Sequence, residues 1–233
     1  MVPDEFKVML NIIEKINRRS YDYWKKKEEK DPFDAHSLLR DKFNFRPIHP
    51  SKNNIFNITQ NEITFVNKKE IPLCIIDAEP DYLPVFSFMC EKKQHGKKKP
   101  HDNNSQEFWY VSLRLGMIKV KEEIPKGFGF RFESGNPEST HTYYHCQITH
   151  DPFKNDRSGE IFKHFQGPPE NNPCIVLPVK NPTTLILCFL LSIYGYNSKL
   201  WDTYQLNYTK ILEEDKEIIL QFYNHNSFTL VPV

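Results

Sequence analysis

The chain is 233 residues long, 39% apolar, 14% aromatic and 26% charged, and its 31 Lys+Arg against 30 Asp+Glu leave a formal net charge of +1. That balance excludes a polycation that binds nucleic acid through overall charge, and 18 Phe with 11 Tyr exclude a disordered tail. The length suits a single domain over 1–233, divided into an N-terminal helical segment (1–50), a β region (51–180) and a C-terminal helical segment (181–233).

Pro3 stands where a first helical turn would begin, and Phe6, Met9, Leu10, Ile13 and Ile16 recur at helical spacing. Residues 3–28 are therefore predicted as one long amphipathic helix, running out into the charged stretch Lys25 to Lys30. Asp34 is placed to cap a short helix carrying Leu38, Leu39 and Phe43, and Pro and Asn mark 44–54 as a loop. Then the pattern changes. Segments 55–58, 62–66, 72–77 and 83–90 are short, β-branched and aromatic, which predicts strands. A polar, basic loop at 91–105 follows, then strands at 107–120, 127–133 and 141–149. The Pro-, Gly- and Asn-rich stretch 151–172 reads as a loop, and 174–177 as a short apolar strand. Asn181-Pro182 predicts an N-cap and first turn, with Gly195 as the stop. The helix between them is apolar nearly all round, which predicts that it is buried. Helices at 198–213 and around Ile218 to Phe222, and a strand at 227–231, complete the chain. Helices first, strands in the middle and helices last predict an α+β fold: an antiparallel sheet packed by the N-terminal and C-terminal helices.

No apolar run of secretory type opens the chain, and Leu185 to Leu191 is too short to span a bilayer, so a cytoplasmic protein without membrane contact is expected. The five cysteines are dispersed and form no C-x-x-C pair, which fits reduced, buried thiols. No G-x-G-x-x-G or G-x-x-x-x-G-K occurs and Gly numbers only 8, so no cofactor is expected.

The segment from His141 to His150 is the most unusual. Its composition favours a strand, on which His141 and His145 lie about 13 Å apart and cannot share a metal, so no metal site is expected. Strand parity sends Tyr144, Cys146 and Ile148 to the core and His141, Tyr143, His145 and Gln147 to the other face. The same rule sends Tyr110, Ser112, Arg114, Arg131 and Glu133 away from the core. If the three strands are neighbours, one polar face gathers all of these groups. Its plainest form is the solvated side of a half-buried sheet. As a functional surface it suits two chemistries. His141 and His145 as acid and base, with Arg131 on the phosphate, would cleave a phosphodiester without metal. Arg114, Tyr143 and Gln147, with Lys92, Lys93, Lys97, Lys98 and Lys99 of the basic loop, would bind nucleic acid or a larger partner.

Over 128–195 the order of features resembles uncharacterised bacterial proteins found near toxin and phage-defence genes, with a pattern close to H-P-x-S-H-x-H-I, then a Pro-bearing strand and an apolar helix ending in an aromatic. The matching residues are Pro137, Ser139, His141, His145, Pro178, Pro182, Leu185 and Tyr194. The spacing of His141 and His145 and the insert at 151–172 depart from that pattern. The resemblance implies a prokaryotic intracellular setting, in antiviral defence or a toxin–antitoxin module. The expectation is an accessory or binding subunit of a defence-type assembly, with a larger protein partner and nucleic acid as the contacts. The rivals are a ribonuclease-like toxin or effector using His141 and His145, and a scaffold without nucleic-acid contact.

Overall fold

Helix α1, Asp4–Lys30, follows directly from the spacing of its apolar residues: Phe6, Met9, Ile13 and Ile16 are buried on one face, while Lys7, Asn11 and Glu14 are exposed. We describe a computed structural model of the chain over residues 4–30, 40–41, 44–50, 55–74, 82–94, 107–119, 126–134, 144–149, 153, 174–177 and 181–194. Eight strands follow α1: β1 Phe56–Ile58, β2 Glu62–Phe65, β3 Ile71–Pro72, β4 Tyr82–Gln94, β5 Glu107–Lys119, β6 Lys126–Glu133, β7 His145–Thr149 and β8 Cys174–Val176. Helix α2, Pro182–Tyr194, comes last among the described residues. No helix among the described residues is long and apolar enough to cross a membrane.

The strands form one antiparallel sheet in the order β1-β2-β4-β5-β6-β7-β8, with β3 paired to β4. The α+β architecture expected from the order of elements is the one observed. Register fixes two faces. On the first, Phe88, Leu113, Phe132 and Cys146 stand side by side across four strands, and Phe86, Leu115, Phe130 and Ile148 form the next row. Helix α2 and the start of α1, where Phe6 meets Trp109, lie on this face. Phe189 of α2 sits 4.7 Å from Phe86 and 5.4 Å from Phe132, ring centre to ring centre, and is fully buried. Aromatic contacts at these separations favour tilted and edge-on geometries, as seen here. Asn181 caps α2 through its side chain, accepting from the Thr184 amide and hydroxyl at 2.9 Å each.

Two buried polar groups tie α1 to the rest. Asn17 donates to the Ile48 carbonyl at 2.7 Å and accepts from the Ile48 amide at 2.8 Å. Trp24 donates to the Leu73 carbonyl at 3.1 Å. Trp24, Phe45, Leu83, Val85, Ile118 and Phe153 make a second, smaller apolar cluster. It lies on the opposite side of the sheet from α2, because Leu83, Val85 and Ile118 have the parity opposite to Phe86 and Leu115.

Element boundaries differ from the sequence expectation in two places. β3 covers Ile71–Pro72 where a strand over 72–77 was expected; the Leu73 amide still donates to the Pro84 carbonyl at 2.8 Å, and residues 75–77 lie outside the described residues. β4 runs on to Gln94 rather than stopping at 90. Its charged tail looks like loop in isolation, but each residue pairs with β5, and Lys92 forms an ion pair with Glu107. Residues 141–143 of the strand expected at 141–149, the helix capped by Asp34 except for residues 40–41, and everything expected beyond Gly195 lie outside the described residues.

Candidate functional site

The second face of the sheet carries the polar groups, in rows set by register. One row runs Thr64, Met89, Ser112, Glu133, His145 from β2 to β7. The next runs Ser87, Arg114, Arg131, Gln147 from β4 to β7. The three strands whose adjacency the face required, β5, β6 and β7, are direct neighbours.

Glu133 is the hub. Ser112 donates its hydroxyl to Glu133 Oε1 at 3.0 Å, Arg131 stands 3.8 Å from the same oxygen, and His145 Nε2 lies 3.6 Å from Oε2. Burial alone pushes the Glu133 carboxyl up. The facing His145 ring, the Arg131 charge and the Tyr110 and Ser112 hydroxyls outweigh it and bring it down to about 2. Tyr110 is held well above the usual phenol range, first by burial and then by the Glu133 charge. Around this hub, Arg131 donates to Gln147 Oε1 at 2.6 Å and Arg114 Nε donates to Ser112 Oγ at 3.3 Å. Lys93 Nζ sits 3.9 Å above the Tyr110 ring, a cation–π contact.

The expected solvated face is not what the structure holds. Ser112, Glu133 and His145 are 0%, 5% and 5% exposed. Alternation of polar and apolar residues reports which way a side chain points, not whether something lies over it. Arg114, Arg131 and Gln147 remain partly exposed beside the buried row. Lys92 and Lys93 belong to β4 rather than to a loop, and successive strand positions send them to opposite faces. His141, Tyr143, Lys97, Lys98 and Lys99 lie outside the described residues. Of the proposed catalytic set, Arg131 and His145 come together, joined through Glu133.

A groove of about 320 Å3 opens at the β2 end of the same face, which the sequence reading did not single out. Its lining includes Thr64, Ser87, Met89 and Arg114 from the sheet, Lys68 and Lys69 from the turn after β2, and three carboxylates, Glu62, Glu70 and Glu91. Only the pairing of β2 with β4 brings Thr64 beside Met89, and strand order cannot be read from parity.

The chain matches no family model, no curated protein and no solved structure.

The chemistry of the polar face therefore rests on geometry. Ser112 is bonded to a carboxylate rather than to an imidazole, so it lacks the base that would make it a nucleophile. His145 is buried against Glu133, away from where an acid or base would meet a substrate. The described thiols are equally inert: Cys74, Cys90, Cys146 and Cys188 are buried, and burial pushes the Cys188 thiol up to about 12 and raises that of Cys90 as well. What the arrangement offers is a rigid, hydrogen-bonded platform with cations and an aromatic ring along its accessible side.

Proposed function

We propose that the chain is a binding subunit of a prokaryotic defence-type assembly in the cytoplasm, contacting nucleic acid along the accessible side of its polar sheet face. The observation that carries this is the grouping of Lys93 on the Tyr110 ring with Arg114 and Arg131 on one sheet face. Cations supply phosphate contacts and an aromatic supplies a stacking surface, the combination that single-stranded nucleic acid requires. The Glu133 network supports the reading by holding both arginines in place through Ser112 and Gln147. The defence setting rests on the resemblance over 128–195.

Cleavage by His145 with Arg131 is the weaker reading, since the imidazole is committed to Glu133 and buried. One experiment addresses both. Fluorescently labelled single-stranded RNA and DNA are titrated with the chain at two salt concentrations. Affinity is expected to fall with salt, and Lys93→Ala and Arg114→Ala are each expected to weaken binding and to reduce the salt slope by about 1. No binding at low salt would remove the nucleic-acid role and leave the scaffold. RNA fragments that vanish with His145→Gln would instead favour the ribonuclease.

A further inference from the structure

The sheet face that carries α2 is not buried along its whole length. Phe189 of α2 covers the rows that hold Phe132 and Phe86. Past them burial falls off. Along β6, Phe132 is 3% exposed, whereas Phe130 and Phe128 are each partly exposed. The neighbouring strands follow the same trend. Ile148 beside Phe130 and Met117 beside Phe128 are partly exposed, and Tyr82 at the start of β4 is 36% exposed.

Parity puts these side chains on one face of the sheet, and their rings meet in sequence. Tyr82 reaches across β5 to lie 5.5 Å from Phe128, ring centre to ring centre, and Phe128 lies 5.6 Å from Phe130. Both contacts are edge-on. The three rings form a continuous, partly open strip, with the Met117 thioether beside it. Single exposed apolar residues are ordinary, but a contiguous patch of them marks a contact surface.

The surroundings of the strip define what it contacts. The row that ends it runs Tyr82, Lys119, Lys126 across β4, β5 and β6. Neither this row nor the two before it hold an Asp or Glu at any described paired position. Like charges at directly opposed positions are unfavourable by themselves, so the opposed lysine positions 119 and 126 call for an anion. An apolar protein surface would leave them uncompensated. A single strand offers flat bases to the rings and phosphates to the lysine row. The order of residues points the same way. Lys126-Gly127-Phe128-Gly129-Phe130 is the order in which sheet-based readers of single-stranded RNA set a cation and two rings on one open face. Arg131 and Glu133 depart from the remainder of that pattern and belong to the network on the other face.

From these observations we infer that Tyr82, Phe128 and Phe130 form a stacking platform for the bases of a single-stranded nucleic acid, with Lys119 beside the phosphates. The platform goes beyond the polar-face reading. It lies on the opposite side of the sheet and shares no residue with that face.

The test is fluorescence anisotropy on the full chain, with a labelled octamer of deoxythymidylate and an abasic octamer of the same phosphate count. The abasic strand is expected to bind at least about tenfold more weakly. Phe128→Leu removes a ring and keeps an apolar side chain. It should weaken the deoxythymidylate octamer by about tenfold at every salt concentration and leave the salt slope unchanged. Tyr82→Ala, at the most exposed ring, should weaken it several-fold with an unchanged urea midpoint. Absence of octamer binding would overturn the proposal, as would an abasic strand bound as tightly as the deoxythymidylate one. So would binding that neither variant changes, and a lower urea midpoint for Phe128→Leu with unchanged binding would identify the strip as core instead. Lys93→Ala and Arg114→Ala act on the salt slope, so failure of the polar face and failure of the platform are read separately.

Discussion

A carboxylate sealed under an imidazole, a guanidinium and two hydroxyls keeps its charge because each of those neighbours favours the ionised form. Glu133 is that carboxylate, and the consequence can be measured. Its folded value, about 2, lies below the ordinary 4.5, so it stabilises the fold fully above pH about 4.5 and the contribution drains away as the pH falls towards 2. The magnitude is on the order of 3 kcal/mol, since the side chain is almost wholly buried. Glu133→Gln should cost about 3 kcal/mol at neutral pH, read as a lower urea midpoint, because Arg131 loses its counter-charge and His145 its carboxylate partner. The difference between variant and unaltered chain should shrink as the pH falls below 4.5. A difference that stays constant down to pH 3 would show that folding does not lower the Glu133 carboxyl below its ordinary range. Strand parity placed Tyr110, Ser112, Arg114, Arg131, Glu133, His145 and Gln147 on one face from the amino-acid order alone. Their burial was beyond its reach, because periodicity gives direction and not cover.

Helix α2 shows how far composition can identify an element and its neighbours. Asn181 followed by Pro182 marks the start, and the run through Leu185, Ile186, Cys188, Phe189 and Leu190 leaves no polar stripe, so the helix must be enclosed. What encloses it is not in that run. The structure supplies Phe86 and Phe132 from two strands on one side and α1 on the other. Removing the ring that joins them opens a cavity between helix and sheet. Phe189→Ala should therefore cost about 3–5 kcal/mol, with the midpoint of urea unfolding lowered and its slope unchanged. A loss under about 1 kcal/mol would mean that the helix is not seated as described. The charged end of β4 is the opposite case. Glu91, Lys92, Lys93 and Gln94 read locally as a loop and become strand only because β5 offers Glu107 to Lys92 and Tyr110 to Lys93. Partners that distant in the chain are invisible to any window of neighbouring residues.

At the scale of the whole molecule, the strand order decides how stability is distributed. Each strand was visible as a pattern, but parity says nothing about which strand lies beside which. The pairing of β7 with β8 spans the long insert, and β2 reaches β4 past β3. That order places β5 in the middle, with β4 paired along its full length on one side and β6 on the other. Amides of Ser112 to Ile118 point alternately to the two neighbouring strands, and the Val111 amide donates to the Ser134 hydroxyl at 2.8 Å. They also lie above the buried row of Val111, Leu113 and Leu115. The edges differ. Among the described residues β1 pairs only with β2, and β8 only with β7, so about half of their amides point outward from the sheet. Ile58 and Ile175 on these strands are 43% and 58% exposed. Opening of the edges should therefore precede opening of the centre. In native-state hydrogen exchange, amides of β5 are expected to exchange only with global unfolding, and those of β1 and β8 by local opening, orders of magnitude faster. Glu133→Gln should speed exchange in β5 and leave the edge rates almost unchanged, because edge opening does not break the Glu133 network. If β8 proves as protected as β5, its outer edge is covered in solution, and an added strand is the simplest structure that could cover it.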